Sequence, residues 1–432
     1  MVLLLQPGTI EAGVLCLRAS FSLATRRESA LIHEFTLVWV VGIILVALTA
    51  ALLLELLLVS VAAILPERKP NQLGPNVPAI QSLTVIVPSH NEEGSIVRCI
   101  ESIAASDGGT ENILVIAHNC DDNTRQFALN AGANVFVLDD PNLPGKGYAL
   151  AKGFDLAFRE YGADAAMIID ADSTISLDLI LKVRESLSRA SVVQCHYQAT
   201  SIGMPSRARL RALAFRCMNV IRPRGRKRLG LSCGIFGNGF ALRAEVLGRV
   251  RYTAVSIVED LEFHLSLLNA GIRTDFIEDA VVSAGVPQTS TGERTQSARW
   301  EGGRLRILMS RGPSLFRQFL SGRPSLIEPI IDLMGAPIGI GVCFLFILLV
   351  LPVTILRLYA VCGFAIVALH VLVGVYQGPD PKADLIALVS SPFYVLSKVA
   401  MLPAIFRAGG RRANWVRTSR ATVPQQERSD KR

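Results

Sequence analysis

Charge is scarce in this chain. Only 19% of its 432 residues are Asp, Glu, Lys or Arg, half are hydrophobic, and the mean hydropathy of +0.40 is too apolar for an ordinary soluble protein. The composition predicts a membrane protein that carries a sizeable water-soluble part. The eight cysteines (Cys16, Cys99, Cys120, Cys195, Cys217, Cys233, Cys343, Cys362) include no Cys-x-x-Cys pair, and no histidine stands at zinc spacing. That excludes a disulfide framework and a structural zinc site, and it fits reduced thiols facing the cytosol. No Gly-x-Gly-x-x-Gly follows the first candidate strand, which weighs against a dinucleotide-binding oxidoreductase. The net charge is +8. Arginines crowd beside apolar segments without an interleaved aromatic platform, so anionic lipid headgroups and phosphorylated substrates explain the charge better than nucleic acid.

What the chain does have is long apolar runs at both ends. Residues 1–35 lack the basic start of a signal peptide and read as an N-terminal extension. Residues 36–65 read as a tilted transmembrane helix in which Glu55 is the only charge, either near the interface or paired with another membrane segment. The cations of Glu67-Arg68-Lys69 mark a cytoplasmic exit, and a Pro/Gly/Asn-rich linker fills 66–82. At the other end, residues 311–336 carry Arg311, Arg317 and Arg323 and read as an interfacial segment. Residues 337–376 suit a transmembrane hairpin divided at Arg357. Residues 385–406 contain Pro392, Lys398 and Pro403 and precede a basic tail at 407–432. A crossing there would put the tail outside, against the positive-inside tendency, so an interfacial or re-entrant helix is expected. The whole describes an integral membrane protein, contacting membrane lipid, with its soluble domain in the cytoplasm.

Between these ends, residues 83–310 alternate short apolar runs with amphipathic stretches. Strands are expected at 83–88, 113–117, 135–138 and 166–169, and helices at 95–105, 124–131 and 147–159. This succession predicts an α/β fold with a doubly wound, mostly parallel sheet and a ligand at its carboxyl edge. The strand at 166–169 ends in Asp170-Ala171-Asp172, two carboxylates that can face one hard divalent cation or serve as a turn or helix cap. Two further strand ends, Ser89-His90-Asn91-Glu92-Glu93 and His118-Asn119-Cys120-Asp121-Asp122, look occupied by ligand chemistry, whereas Asn123 and Thr124 read as helix caps. The basic run Arg222 to Arg228 reads as a solvated or headgroup-binding face in preference to a chemical role. Phe236-Gly237-Asn238-Gly239-Phe240 is either a close backbone approach or a tight bend. Glu259 and Asp260 open a helix, where acids also serve the dipole. Gln296, Arg299 and Trp300 share a helical face, and a buried Trp beside Arg and an amide suits a ring and a phosphate.

Taken together, Pro88-x-x-Asn91-Glu92, the Asp122 turn, Pro144-Gly145-Lys146-Gly147, Asp170-x-Asp172, Gly237-Asn238-Gly239, Glu259-Asp260 and Gln296-x-x-Arg299-Trp300 resemble the family 2 glycosyltransferases. Within them the resemblance is to membrane-integrated synthases of the cellulose, chitin and hyaluronan type. It implies a GT-A fold and inverting transfer from a nucleotide-diphosphate sugar, UDP-linked before others, to a growing polysaccharide or, alternatively, a lipid-linked acceptor. By the same resemblance, Asp172 and Asp170 would bind Mg²⁺ or Mn²⁺, and Asp260 would be the general base. Asn91, Glu92, His118, Asp122, Lys146 and Asp170 would line the nucleotide pocket. Asn238, Gly239, Glu259, Gln296, Arg299 and Trp300 would hold the acceptor and diphosphate. His118-Asn119 stands where many family members have an acid that binds the base. A non-catalytic membrane scaffold retaining the fold is the reading from another class, and the intact acids argue against it.

Overall fold

In a computed structural model, the described residues are 7–66, 78–107, 112–199, 206–254, 256, 258–285, 290–323, 326–334 and 338–408. Helix α1 spans Pro7–Ile64. The stretch expected to be a separate extension is therefore helical from Pro7 and continuous with the apolar segment. The soluble part then runs β1 (Leu83–Ser89), α2 (Ile96–Ala104), β2 (Asn112–His118), α3 (Thr124–Asn130), β3 (Asn134–Leu138), α4 (Lys146–Asp155), β4 (Ala165–Ile168) and β5 (Ser173–Ile175). It continues through α5 (Leu179–Leu187), β6 (Val192–Ala199), α6 (Ser206–Arg216), α7 (Arg222–Arg228), β7 (Phe240–Arg243), α8 (Ala244–Arg249), α9 (Glu259–Asn269), β8 (Asp275–Ala284) and α10 (Ser290–Leu320). The C-terminal helices are α11 (Ile327–Met334), α12 (Ile338–Val350), α13 (Thr354–Tyr376), α14 (Pro381–Leu388), α15 (Ser391–Val399) and α16 (Leu402–Ala408).

The strands form one sheet in the order β3-β2-β1-β4-β7-β6-β8-β5. Strands β3, β2, β1 and β4 are parallel, because each helix returns the chain to the same edge. Strand β1 is central and apolar on both faces, with Leu83, Val85, Ile86 and Val87 fully buried, as a strand covered by helices on both sides requires. Helices α2 and α5 cover one face and α4 the other, giving two cores. Strand β7 runs antiparallel to β4 and β6, and β5 antiparallel to β8, so the sheet is mixed beyond β4. The parallel half carries the carboxyl edge where β1 and β4 end, and the antiparallel β7 starts at that same edge, since Ile168 pairs with Phe240.

At the membrane end, Phe35–Ile64 within α1 and α13 are the two described helices long and apolar enough to cross a bilayer. Their outer faces present large apolar side chains, among them Ile43, Leu48, Leu54 and Val61 on α1 and Leu358, Val361 and Leu372 on α13. Where a transmembrane hairpin was expected, the chain forms two helices of unequal length with a different break, and only α13 is long enough to span. Helix α12 is 13 residues, about 20 Å and short of the roughly 30 Å hydrocarbon core. The break lies at Leu351-Pro352-Val353, where proline cannot continue the helix, and Arg357 lies inside α13. The expected interfacial segment divides between the end of α10 and α11. The expected helix at 385–406 is instead three short helices, α14 to α16, interrupted ahead of Pro392 and Pro403. Residues 67–77 of the expected linker and the tail beyond residue 408 lie outside the described residues.

The reading of Arg222 to Arg228 as a solvated face is corrected. Arg222 and Arg226 are 6% and 2% exposed and converge on Glu55, itself 9% exposed, at 2.8 and 2.7 Å. The expected pairing of Glu55 with another membrane segment is corrected as well, since its partners Arg222 and Arg226 come from α7 of the soluble domain. Glu328 of α11 extends the group, lying 3.5 Å from Arg226 and accepting the Ser232 backbone N–H at 2.8 Å. The two helices can meet this closely because Gly225 has no side chain: a Cβ there would stand 2.2 Å from the Val59 carbonyl oxygen. Removing one member of a buried ion network leaves its partners desolvated, at about 3–5 kcal/mol. Glu55→Gln is therefore expected to lower the unfolding midpoint of the detergent-solubilised protein by that amount of stability, and a wild-type denaturation curve would contradict the network.

Candidate active site

The site is built from the loops at the carboxyl edge. After β1 and β2 the chain turns sharply, and Asn91 and Asn119 take left-handed conformations with φ of 56° and 50°, which Asn tolerates better than most residues. Both use their side chains to brace neighbouring loops. The Asn91 side-chain carbonyl accepts from the Asp121 N–H at 2.9 Å, and Asn119 exchanges two hydrogen bonds with the Asp140 backbone at 2.7 and 2.9 Å. Asp122 caps α3, accepting from Thr124 N–H at 2.9 Å and also from the Thr124 hydroxyl, and its other oxygen accepts from Glu93 N–H. The cap assigned from sequence to Asn123 and Thr124 is thus supplied by Asp122, while Asn123 donates to the Glu93 carboxylate. Glu92 accepts from the Ser95 hydroxyl at 2.9 Å. His118 closes β2 almost fully buried, and burial lowers its pKa. Its Nε2 is a buried ring nitrogen without a hydrogen-bond partner among the described residues.

The acid pair follows β4. Asp170 is fixed through its backbone, its N–H donating to the Asn238 side-chain oxygen at 3.0 Å, while the Asn238 amide donates to the Ser173 hydroxyl at 2.8 Å. Asn238 is fully buried, so the structure gives it a bracing role and not the direct acceptor contact expected from sequence. Gly239 likewise is a ladder residue, donating to the Ile168 carbonyl at 2.9 Å. Behind this turn sits buried Gln194, which accepts from Phe236 N–H at 3.1 Å and donates to the Asn238 carbonyl at 2.8 Å. Neither Gln194 nor Ser173 was found by sequence reasoning, because a lone polar residue in an apolar strand and a Ser after an acid pair have no motif of their own. Cys99 of α2 reports both acids: burial pushes its thiol up, and the charges of Asp172 and Asp170 push it further.

A cation stands at this pair. Lys146, the first residue of α4, donates to the Asp170 carboxylate and to the Gly237 carbonyl. Burial opposes its charge, but Asp170 and Glu259 outweigh that and hold the ammonium above its usual range. Gly237 has φ of 72° and lies so close to Asp260 that a Cβ would be 3.3 Å from Oδ2. The first turn of α9 thereby brings Glu259 and Asp260 against the Gly237 turn, where the Asp260 carboxylate accepts from Leu261 N–H at 2.8 Å. Burial raises both carboxyls. Glu259 reaches about 7, with the charge of Asp260 adding to burial and Lys146 and Arg299 opposing it. Asp260 is raised by burial against the pull of the Leu261 N–H, Lys146 and Arg299.

Arg299 on α10 therefore acts electrostatically on the same acids. Helix α10 is held on α9 by an Arg311–Glu262 ion pair. Trp300 departs from expectation, being 43% exposed and not buried. Gln296 lies on α10, with its side chain outside the described residues.

The donor set suits a divalent cation of the magnesium type. Asp170 and Asp172 are hard oxygen donors, and the seated Lys146 ammonium demonstrates that the position favours positive charge. Among the described residues no group of three His, Cys, Asp or Glu surrounds one point. The protein would thus contribute two carboxylates and leave the remaining positions to water and substrate oxygens, the usual manner of Mg²⁺.

A sequence model of glycosyltransferase-like family 2 matches residues 78–303, more than half of the chain. The chain belongs to this family. It is a glycosyltransferase, and its mixed, mostly parallel sheet with flanking helices is a GT-A catalytic unit. An N-acetylglucosaminyltransferase of Rhizobium meliloti (strain 1021) is 25% identical over 239 residues, covering 51% of this chain and 55% of that protein. A low-salt glycan biosynthesis hexosyltransferase of Haloferax volcanii is 34% identical over 104 residues, 24% of each protein. The chain thus spans about half the length of the first relative and a quarter of the second. Among solved structures, a mannosyltransferase of Pyrobaculum calidifontis in complex with GDP-mannose and Mn²⁺ is 17% identical with a TM-score of 0.49, over 86% of this chain and 97% of that one.

With Asp260 as the proton acceptor, this acid pair would set the pH dependence of transfer. Glu259 keeps its proton up to about pH 7, so the pair reaches its doubly ionised, most basic form only above that point. We expect kcat/KM to fall as pH drops below neutrality, and Glu259→Gln, which removes the like charge beside Asp260, to move that limb to lower pH. A limb unmoved in Glu259→Gln would mean the two carboxyls titrate independently.

Proposed function

We propose that this glycosyltransferase transfers a sugar, with inversion, from a nucleotide-diphosphate sugar to the end of a growing polysaccharide at the cytoplasmic face of a bacterial-type inner membrane. What supports this reading is the meeting at one sheet edge of a partly buried carboxylate, Asp260, with Asp170, which already holds the Lys146 ammonium, and its neighbour Asp172. Displacement at an anomeric carbon needs a proton acceptor on the side of the incoming hydroxyl and positive charge on the side of the departing diphosphate. Asp260 takes the proton, and Glu259 beside it keeps the acceptor basic at neutral pH. Asp172 and Asp170 hold Mg²⁺ or Mn²⁺, which when bound supplies charge neutralisation on the diphosphate. Lys146 and Arg299 add fixed positive charge to the same side. Lys146, which holds Asp170 and the Gly237 carbonyl, would lie within reach of the phosphates beside that metal site. His118 offers its buried Nε2 to the nucleotide, for which a UDP base is our assignment, with Asn91, Glu92 and Asp122 shaping that loop wall. Trp300, half exposed, stacks on the acceptor sugar, with Gln296 beside it.

A second reading, transfer of a single sugar to a lipid-linked acceptor, is favoured by one observation. Two described helices with the length and apolarity to cross a membrane are few for threading a polymer. Sizing the radiolabelled product separates the two, since a ladder of lengths supports the polymer and one organic-soluble species the lipid. For the shared chemistry, Asp260→Asn and Asp172→Asn are each expected to lower turnover by about 10²–10⁴-fold while membrane insertion and the unfolding midpoint stay near wild type. Turnover within a fewfold of wild type in either variant would remove that residue from its role.

A further inference from the structure

A cavity of about 420 Å³ lies away from the sheet edge, where α1, α7 and α13 meet. It falls within the roughly 300–1,000 Å³ usual for small-molecule sites. Its walls are apolar, from Ala63 and Ile64 at the end of α1 and Leu372, Val373 and Tyr376 at the end of α13. Two polar side chains complete it, Arg228 and Gln377. The Arg228 guanidinium caps α1, donating through one terminal nitrogen to the carbonyls of Ala62 and Ala63. Its Nε is buried without a hydrogen-bond partner among the described residues, and so is the Gln377 side-chain oxygen. A buried polar atom left unpaired costs about 1–3 kcal/mol. Arg228 and Gln377 are the polar side chains of this otherwise apolar lining, and each carries a buried unpartnered atom that a side-chain turn toward an anionic, hydroxyl-bearing ligand with a hydrocarbon part would satisfy.

Charge around the chamber favours an anion. Arg222 and Arg226 are matched to Glu55 and Glu328, Arg224 to Glu278 at 2.5 Å, and Lys227 to Asp275 at 3.8 Å. Arg228 has only the far side of the already paired Glu278, at 3.9 Å. Among the described residues, Arg228 therefore has the longest pairing of this basic run, and it is the cation that lines the cavity. The source of the ligand follows from position. Ile64 and Tyr376 close the two candidate membrane spans and are 62% and 83% exposed, and Leu372 is half exposed, so with those helices in a bilayer the flanks of the cavity would meet lipid.

We infer that this cavity seats one anionic membrane lipid, its phosphate on Arg228, a headgroup hydroxyl on Gln377, and its first methylenes against Ile64, Leu372 and Tyr376. The inference rests on α1 and α13 spanning the bilayer, as proposed above. The test uses the full chain, delipidated in detergent, with dioleoylphosphatidylglycerol or dioleoylphosphatidylcholine added and retained lipid counted by native mass spectrometry. One phosphatidylglycerol is expected per chain in preference to phosphatidylcholine. Half-saturation should rise roughly tenfold or more in Arg228→Gln and in the cavity-filling Leu372→Trp, the loss of about 1.4 kcal/mol. Gln377→Leu should erode the preference for phosphatidylglycerol over the hydroxyl-free dioleoylphosphatidic acid. Because Arg228 also caps α1, the Leu372 and Gln377 variants decide the matter if Arg228→Gln fails to fold. Equal retention of both lipids, wild-type retention in Leu372→Trp, or displacement by inorganic phosphate at the same concentration would overturn the assignment. Release of the protein from membranes by alkaline carbonate would instead overturn the membrane reading, whereas resistance to carbonate with unselective retention overturns the lipid site alone.

Discussion

The ion cluster of Glu55, Arg222, Arg226 and Glu328 is the contact on which the relation between the membrane end and the catalytic end depends. Four charges lie almost wholly out of water, two of each sign, and the cluster draws on α1, α7 and α11, which are far apart in sequence. Isolated, each charge would oppose burial strongly. Together they satisfy one another, and any arrangement of the helices that separates them carries the full desolvation cost. Apolar packing between α1 and α13 is less directional by comparison, since hydrocarbon side chains can exchange partners with lipid at small cost. The carboxylate in the first apolar run is thus the fixed point from which the position of the sheet follows.

A second electrostatic arrangement governs the chemistry. Lys146, Asp170, Gly237, Glu259 and Asp260 make a compact chain of contacts in which a cation already sits between acids from two different elements. Such an edge is prepared for exchange of one positive group for another without rebuilding the backbone. The backbone itself is held by residues with no part in the reaction. Asn238 grips the Asp170 N–H, and Gln194 grips the Asn238 turn. The antiparallel strand β7 brings that turn beside β4, which an entirely parallel sheet would not do.

Much of this could be read from the residues alone. The succession of β1 through β4 was legible because fully buried parallel strands leave uninterrupted apolar runs, and the strand-end acids stood out because Asp-Ala-Asp terminates such a run. Less legible was anything decided by distant partners. Arg222 and Arg226 have the composition of a solvated patch, and it takes Glu55, some 170 positions earlier, together with Glu328, about 100 later, to make them interior residues. Asp122 and Asn238 lie in motifs that suggest ligand contact, yet their polar atoms are engaged by Thr124, Glu93, Asp170 and Ser173. Side-chain spacing says that a residue is near the edge, but hydrogen-bond accounting is needed to tell a wall from its buttress. The exposure of Trp300 and the break at Pro352 depend in the same way on packing that local pattern does not encode.

Gly225 has a mechanical consequence. With backbone against backbone at Val59, α7 has no side-chain cushion through which it could rock on α1, so the catalytic unit is mounted on its anchor as a rigid bracket and not as a tethered float. Its reaction centre then keeps one standing height and one heading relative to the axis of α1. Any acceptor has to be delivered to that fixed station, and reach becomes a criterion of substrate choice alongside chemical fit.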